Sequence, residues 1–117
     1  MLRLSSKCIF YFLYQSHTSA VTQFVHKFGL FYLNKGKWNG RQILSEKWIE
    51  ESTSASDTDD YGYLFWRGEH NSFRADGKYS QITMVLPEKN AVVSLVAECR
   101  KGEELMRALY DLVCAKI

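Results

Sequence analysis

Residues 80 to 98 read Ser80-Gln81-Ile82-Thr83-Met84-Val85-Leu86, then Pro87-Glu88-Lys89-Asn90, then Ala91-Val92-Val93-Ser94-Leu95-Val96-Ala97-Glu98. Two β-branched, apolar runs joined by four turn-forming residues predict a pair of antiparallel strands. In the second run Ala91, Val93, Leu95 and Ala97 point one way and Val92, Ser94 and Val96 the other, so both faces are largely apolar. A strand of that kind is covered on both sides. Upstream, Tyr61 to Trp66 and Ser72 to Asp76 read as two further strands around the turn-rich Arg67-Gly68-Glu69-His70-Asn71. The four runs together predict an antiparallel sheet.

Helices flank these runs on either side in sequence. From Ser19, residues Val21, Phe24, Val25, Phe28, Phe31 and Tyr32 recur at helical spacing, which predicts a helix over about 19–34 with those side chains on its apolar face and Thr22, Gln23, His26 and Lys27 on its wet one. Gly29 within it costs about 1 kcal/mol relative to Ala and points to close packing against a neighbour; Gly36 supplies the stop. Asn39-Gly40 between Lys37-Trp38 and Arg41-Gln42-Ile43 is a two-residue hairpin signal, because both turn positions take positive φ. Ser45 reads as an N-cap for a short helix over about 46–53, with Leu44 and Ile49 at the positions of a hydrophobic staple. Ser52 to Asp60 is a polar surface loop. The last segment, Glu103 to Ile117, carries Leu105, Met106, Leu109, Leu112, Val113 and Ile117 on one stripe, with Glu103 and Glu104 in its first turn. It predicts a terminal helix docked on the sheet, and the fold class is α+β.

Composition narrows the function classes. The 117 residues, with 46% hydrophobic and 24% charged, suit one globular domain with a modest core. Fifteen Lys+Arg against 13 Asp+Glu, interspersed, leave a net charge of +2 and no basic stripe for nucleic acid. The longest apolar run, Cys8 to Tyr14, is far short of the roughly 20 residues of a membrane span. Cys8, Cys99 and Cys114 are odd in number and widely separated, which reads as reduced thiols in a reducing compartment. His17, His26 and His70 have no metal-ligand spacing with one another or with the cysteines, so neither a metal nor a cofactor is expected. Residues 1–18 match no pattern beyond a loose, short approximation to a secretory signal and are left unassigned. Aromatics at 15% are a heavy load for so small a core to cover.

No GxGxxG, P-loop, HExxH or GxSxG occurs, and no lysine has a serine three residues before it. What carries information is an ordered set of weak motifs. Lys27-Phe28-Gly29-Leu30-Phe31-Tyr32-Leu33-Asn34, Gly36-Lys37-Trp38-Asn39-Gly40, Gln42-Ile43-Leu44-Ser45 and Trp48-Ile49 come first. Tyr61-Gly62-Tyr63 with Phe65-Trp66, Arg74-Ala75-Asp76-Gly77 with Gln81, and Val85-Leu86-Pro87-Glu88-Lys89 follow. In order and approximate spacing the set resembles the carboxy-terminal half of the serine hydrolases related to class C β-lactamases and penicillin-binding proteins, over residues 19–117.

The resemblance implies part of an α/β/α sandwich, its antiparallel sheet flanked by helices. It implies a parent that transfers the acyl group of a small ester or amide to serine and then hydrolyses it. The S-x-x-K of that family is absent here, so the resemblance gives this chain no catalytic residue of its own. Tyr32-Leu33-Asn34 has the Y-x-N spacing but falls inside the resembling helix, away from the family's catalytic position. Ala75-Asp76-Gly77 stands where the third family motif, K-T-G or a variant, would line the site, which makes Asp76, Gly77, Lys78 and Tyr79 the substrate-binding candidates. The backbone N–H of Lys78 is then the candidate second oxyanion donor, and Gly77 lets the backbone approach a substrate. Ser80 replaces the glycine that relatives commonly carry before Gln81, and Ala75 brings no cation, both of which tell against recognition of a carboxylate-bearing β-lactam.

On the residues alone, Asp76-Gly77-Lys78 is a strand-to-strand turn with a solvated lysine, Tyr61, Tyr63, Phe65 and Trp66 are packing residues, and Asp57, Asp59 and Asp60 line a wet loop. Three readings follow: a hydrolase portion silent by itself, a non-enzymatic α+β binding module, or one piece of a split hydrolase that assembles with a missing amino-terminal segment. A secreted or cell-envelope parent stays open beside the reducing compartment that the thiols suggest.

Overall fold

A computed structural model describes residues 9–12, 20–56, 60–78, 81–98 and 100–116. The expectations placed on Cys8, His17, Asp57, Asp59, Tyr79, Ser80, Cys99 and Ile117, and on the side chains of Val21, Thr22, Val96, Ala97, Val113 and Cys114, lie outside what it describes. The elements are β1 (Ile9–Phe12), α1 (Ala20–Leu33), β2 (Lys37–Trp38), β3 (Arg41–Gln42), α2 (Glu46–Thr53), β4 (Trp66–Arg67), β5 (Phe73–Gly77), β6 (Gln81–Leu86), β7 (Ala91–Glu98) and α3 (Gly102–Lys116). Five strands form one sheet in the order β1-β7-β6-β5-β4, every neighbouring pair antiparallel, and β2-β3 form a separate ribbon.

The alternation read along β6 and β7 sorts their side chains onto two faces. Ile82, Met84, Leu86, Val93 and Leu95 meet Leu105 and Leu109 of α3 in one buried cluster. Val85, with half-buried Val92, meets Tyr32 of α1, Ile49 of α2, Phe65 and Phe73 in another. Burying each of these large side chains stabilises by about 1.5–3 kcal/mol, so the two clusters hold helices on both sides of the sheet. The chain is therefore α+β, in three layers. At the edge of the α3 layer the Tyr110 hydroxyl lies 2.8 Å from the fully buried Ser72 hydroxyl, which ties that helix to the start of β5.

Local signals act where they were expected. Asn39 and Gly40 have φ of 49° and 75°, and β2 and β3 pair across them. The Ser45 hydroxyl accepts from the Trp48 N–H at 3.1 Å, capping α2. Ile49 enters the core while Leu44 remains exposed, so the staple pair does not close. At the end of α1 the Gly36 N–H donates to the Phe31 carbonyl and the Lys35 N–H to that of Tyr32, the Schellman pattern. The left-handed position is Lys35, φ 55°, with Gly36 following at 81°.

Four expectations are corrected. Ile9–Phe12, in the unassigned stretch, forms an edge strand on β7, with Phe10 opposite Ala97. Tyr61 to Phe65 is a tight loop rather than a strand, and only Trp66, the last residue of the run, enters one, β4: Gly62 N–H donates to the Phe65 carbonyl, Tyr63 N–H donates to that of Ser52, and a single bridge joins Tyr61 to Trp66. Aromatic β-propensity is overridden there by burial of Phe65. Ser52 and Thr53, assigned to the polar loop, are buried in the last turn of α2, where both hydroxyls donate to the Ile49 carbonyl.

The fourth concerns α1, whose buried face is turned from the aromatic stripe. Gly29 and Tyr32 face the sheet, while Phe24 is 72% and Phe28 41% exposed. A Cβ on Gly29 would lie 2.6 Å from Val92 Cγ1 and 2.7 Å from Thr83 Cγ2, so the helix seats itself at its smallest residue. His26, assigned to the wet face, is half-buried with Nδ1 3.1 Å from Ser94 Oγ.

Candidate functional site at the open end of β5

β5 pairs with β6 along its whole length, from Phe73 opposite Val85 to Gly77 opposite Gln81. On its other side β4 pairs only with Phe73 and Arg74. Among the described residues, Ala75, Asp76 and Gly77 thus have no strand on their outer side. A bare strand edge presents backbone N–H and C=O groups to whatever lies beside it. Three of the substrate-binding candidates, Asp76, Gly77 and Lys78, follow one another at this end, the first two on β5 and the third in the turn after it. Tyr79 lies outside the described residues.

Strand alternation decides where the side chains go. Phe73 and Ala75 belong to the α1 side. Arg74 and Asp76 point to the α3 side, where Arg74 Nε lies 3.3 Å from Asp76 Oδ2. Both line a groove of about 570 Å³ floored by Ile82, Met106 and Tyr110 and rimmed by Glu69, Glu103, Arg107 and Asp111. The Asp76 carboxylate is therefore held by a neighbour two residues away and turned off the outer edge, which leaves the backbone as the candidate binding group there. Gly77 is exposed, and a Cβ at this position would make only ordinary contacts, 3.4 Å to Gln81. Crowding among the described residues does not demand this glycine.

Other polar groups do structural work. His26, Ser94 and Thr83 form a chain of contacts, 3.1 and 3.3 Å, between α1 and the sheet. A hydroxyl beside an imidazole is the pairing of a nucleophile and its base, yet neither residue lines either of the two clefts described in this section. The smaller cleft, about 380 Å³ between α1, α2 and β5, is crossed by Arg67, which donates to the Thr53 carbonyl and to Asn71 and sits 5.8 Å from the Phe73 ring centre. On the surface the Tyr63 hydroxyl donates to Glu51 at 3.0 Å, and that hydrogen bond, with the carboxylate's charge, raises the Tyr63 pKa above its ordinary value. Among the described residues no group of three or more His, Cys, Asp or Glu could hold a metal ion, and no helix is long and apolar enough to cross a membrane.

Sequence reasoning missed the Arg74–Asp76 pair, though the signal was present: opposite charges two apart on a strand share a face. It also missed the His26–Ser94 contact, for which 68 intervening residues leave no local signal.

No protein-family model and no curated protein matches this chain. Among solved structures it is similar in fold to a protein described as "Putative 6-aminohexanoate-dimer hydrolase from Bacillus anthracis", with a TM-score of 0.65 and 20% identity. That match covers 79% of this chain and 28% of the other, so the chain spans little more than a quarter of the length of the protein it resembles.

Proposed function

We propose that this chain is the carboxy-terminal portion of a β-lactamase-related serine hydrolase, and that it supplies one wall of the cleft without the nucleophile. The domain portion runs over residues 19–117, and β1 adds an edge strand from the stretch before it. The observation that carries the reading is the uncovered outer edge of β5 at Ala75-Asp76-Gly77, the place where the resemblance puts the third motif. Likeness in fold to a protein named as a hydrolase supports it, and the short span of that likeness agrees with a portion.

In the complete enzyme a serine hydroxyl attacks the carbonyl of a small ester or amide, and the acyl-serine is then hydrolysed. The Lys78 backbone N–H is the second donor to the oxygen that gains charge, and a donor of that kind is worth about 10²–10³ in rate. Gly77 lets the substrate's backbone or acyl chain come close, which is the use left for it once internal crowding is set aside. Asp76 acts through Arg74, holding the strand end rather than touching substrate.

The purified chain, offered a nitrophenyl ester, is expected to release nitrophenolate no faster than buffer does. Turnover that a serine-directed inhibitor abolishes would show a nucleophile within these residues and overturn the reading.

A further inference from the structure

Two arginines among the described residues are half-buried, Arg67 and Arg74, and they differ in their partners. Arg74 has the Asp76 carboxylate at 3.3 Å. Arg67 has no ion-pair partner among the described residues. Its guanidinium donates to the Thr53 carbonyl at 3.2 Å and to Asn71 Oδ1 at 2.5 Å, and it lies 5.8 Å from the centre of the Phe73 ring. Those contacts fix where the group sits. Both hydrogen-bond acceptors are neutral, however, and they take two of the five N–H donors that a guanidinium carries. A charge drawn out of water is ordinarily paired, so this one lacks a counter-charge.

The cleft around Arg67 suits one class of partner. It measures about 380 Å³ between α1, α2 and the start of β5, and Tyr32, Leu33, Ile49, Phe73 and Pro87 give it an apolar lining. That size is within the range of small-molecule pockets. Lys35 and Glu50, both exposed, stand in the same lining with opposite charges, so its net charge is that of Arg67.

We propose that this cleft binds a small carboxylate with an apolar body, the carboxylate on the Arg67 fork and the body against the apolar lining. A planar guanidinium offers parallel N–H groups to the two oxygens of a carboxylate, and the pairing is strengthened where water is partly excluded. A doubly charged inorganic anion meets a single net positive charge and gains nothing from the lining. The cleft is apart from the candidate site, because it opens at Phe73 and Gly77 is four residues farther along β5, about 13 Å away. The inference therefore goes beyond the hydrolase reading and does not depend on it. A ligand seated there touches α1, α2 and the sheet together, so binding stabilises the packing of all three.

The test titrates the whole 117-residue chain by calorimetry with sodium benzoate, with benzamide as its neutral isostere, and with sodium sulfate, and it follows thermal unfolding at each concentration. Benzoate is expected to bind one-to-one and to raise Tm, at least about tenfold more tightly than either benzamide or sulfate. Arg67→Gln is expected to weaken benzoate binding by about tenfold or more, and Arg67→Lys, which keeps the charge and loses the fork, by about threefold or more. Arg67 also holds Thr53 and Asn71, so Ala55→Trp supplies a second route: it places a large side chain in the cleft from an exposed position, leaves Arg67 in place and is expected to abolish binding. Arg107→Gln, in the groove on the α3 side, should leave the affinity unchanged. Absence of saturable benzoate binding, equal affinity for benzamide or sulfate, or binding indifferent to both the Arg67 and the Ala55 substitutions overturns the proposal.

Discussion

Gly29 shows what one missing side chain does. Alanine there would gain about 1 kcal/mol of helix propensity. Its Cβ would meet methyl groups of Val92 and Thr83 at 2.6 and 2.7 Å, and both belong to β-branched residues on a packed sheet that cannot swing aside. Overpacking of that kind costs about 1–3 kcal/mol, so the second effect wins. Gly29→Ala is expected to lower stability by about 1 kcal/mol in urea unfolding, and a more stable variant would show that α1 sits farther from the sheet. Tyr63 gives a prediction in pH. Its raised pKa means that the hydrogen bond to Glu51 contributes stability below the ordinary tyrosine value and loses it as pH rises through the raised one. In an ultraviolet titration, Glu51→Gln should move part of the tyrosinate signal to lower pH. The tight seat of Gly29 was legible because a helix-breaking residue inside a helix needs a reason. His26 was misplaced because a wet face was inferred from its own residues, while the partner that buries it is on β7.

At the scale of elements, local chemistry explains the ends better than the orientation. The cap on α2 is set by Ser45 alone, and Ser45→Ala should cost about 1 kcal/mol, read as a lower midpoint in thermal unfolding. The β2–β3 ribbon follows from two residues that accept positive φ. Helix α1 was found in the right place but rotated, because its aromatic residues spread over more of its surface than one sheet can cover. Helical spacing states that some face is apolar; which one is buried depends on how near the backbone can come, and that is decided by Gly29. Of the run read as a strand, Tyr61 to Phe65 is a loop for a related reason, and only Trp66 is in β4. Aromatic residues fit a pleated surface, but at Gly62 and Tyr63 the backbone partners are Ser52 and the loop itself rather than a neighbouring strand.

The whole molecule shows an imbalance between apolar content and cover. With Phe24, Leu64 and Trp66 on the outside, the isolated chain is expected to bind a hydrophobic dye, and Leu64→Ser with Trp66→Ser should remove much of the fluorescence. A dye-negative chain would count against a portion of a larger domain. By itself the sequence determined the α+β class, the β5 to β7 meander, the helices, the Ser45 cap and the Asn39-Gly40 turn, because each depends on residues close together along the chain or on a strict period. The substrate-binding candidates Asp76, Gly77, Lys78 and Tyr79 came from the order of motifs rather than from any local property, and they stand as a proposal. Only the tertiary structure decided that β1 closes the edge of β7, that the Asp76 carboxylate turns to Arg74 and away from the bare edge, and that His26 reaches Ser94. Each of these depends on which surfaces meet, and that is set by close packing between elements distant in sequence.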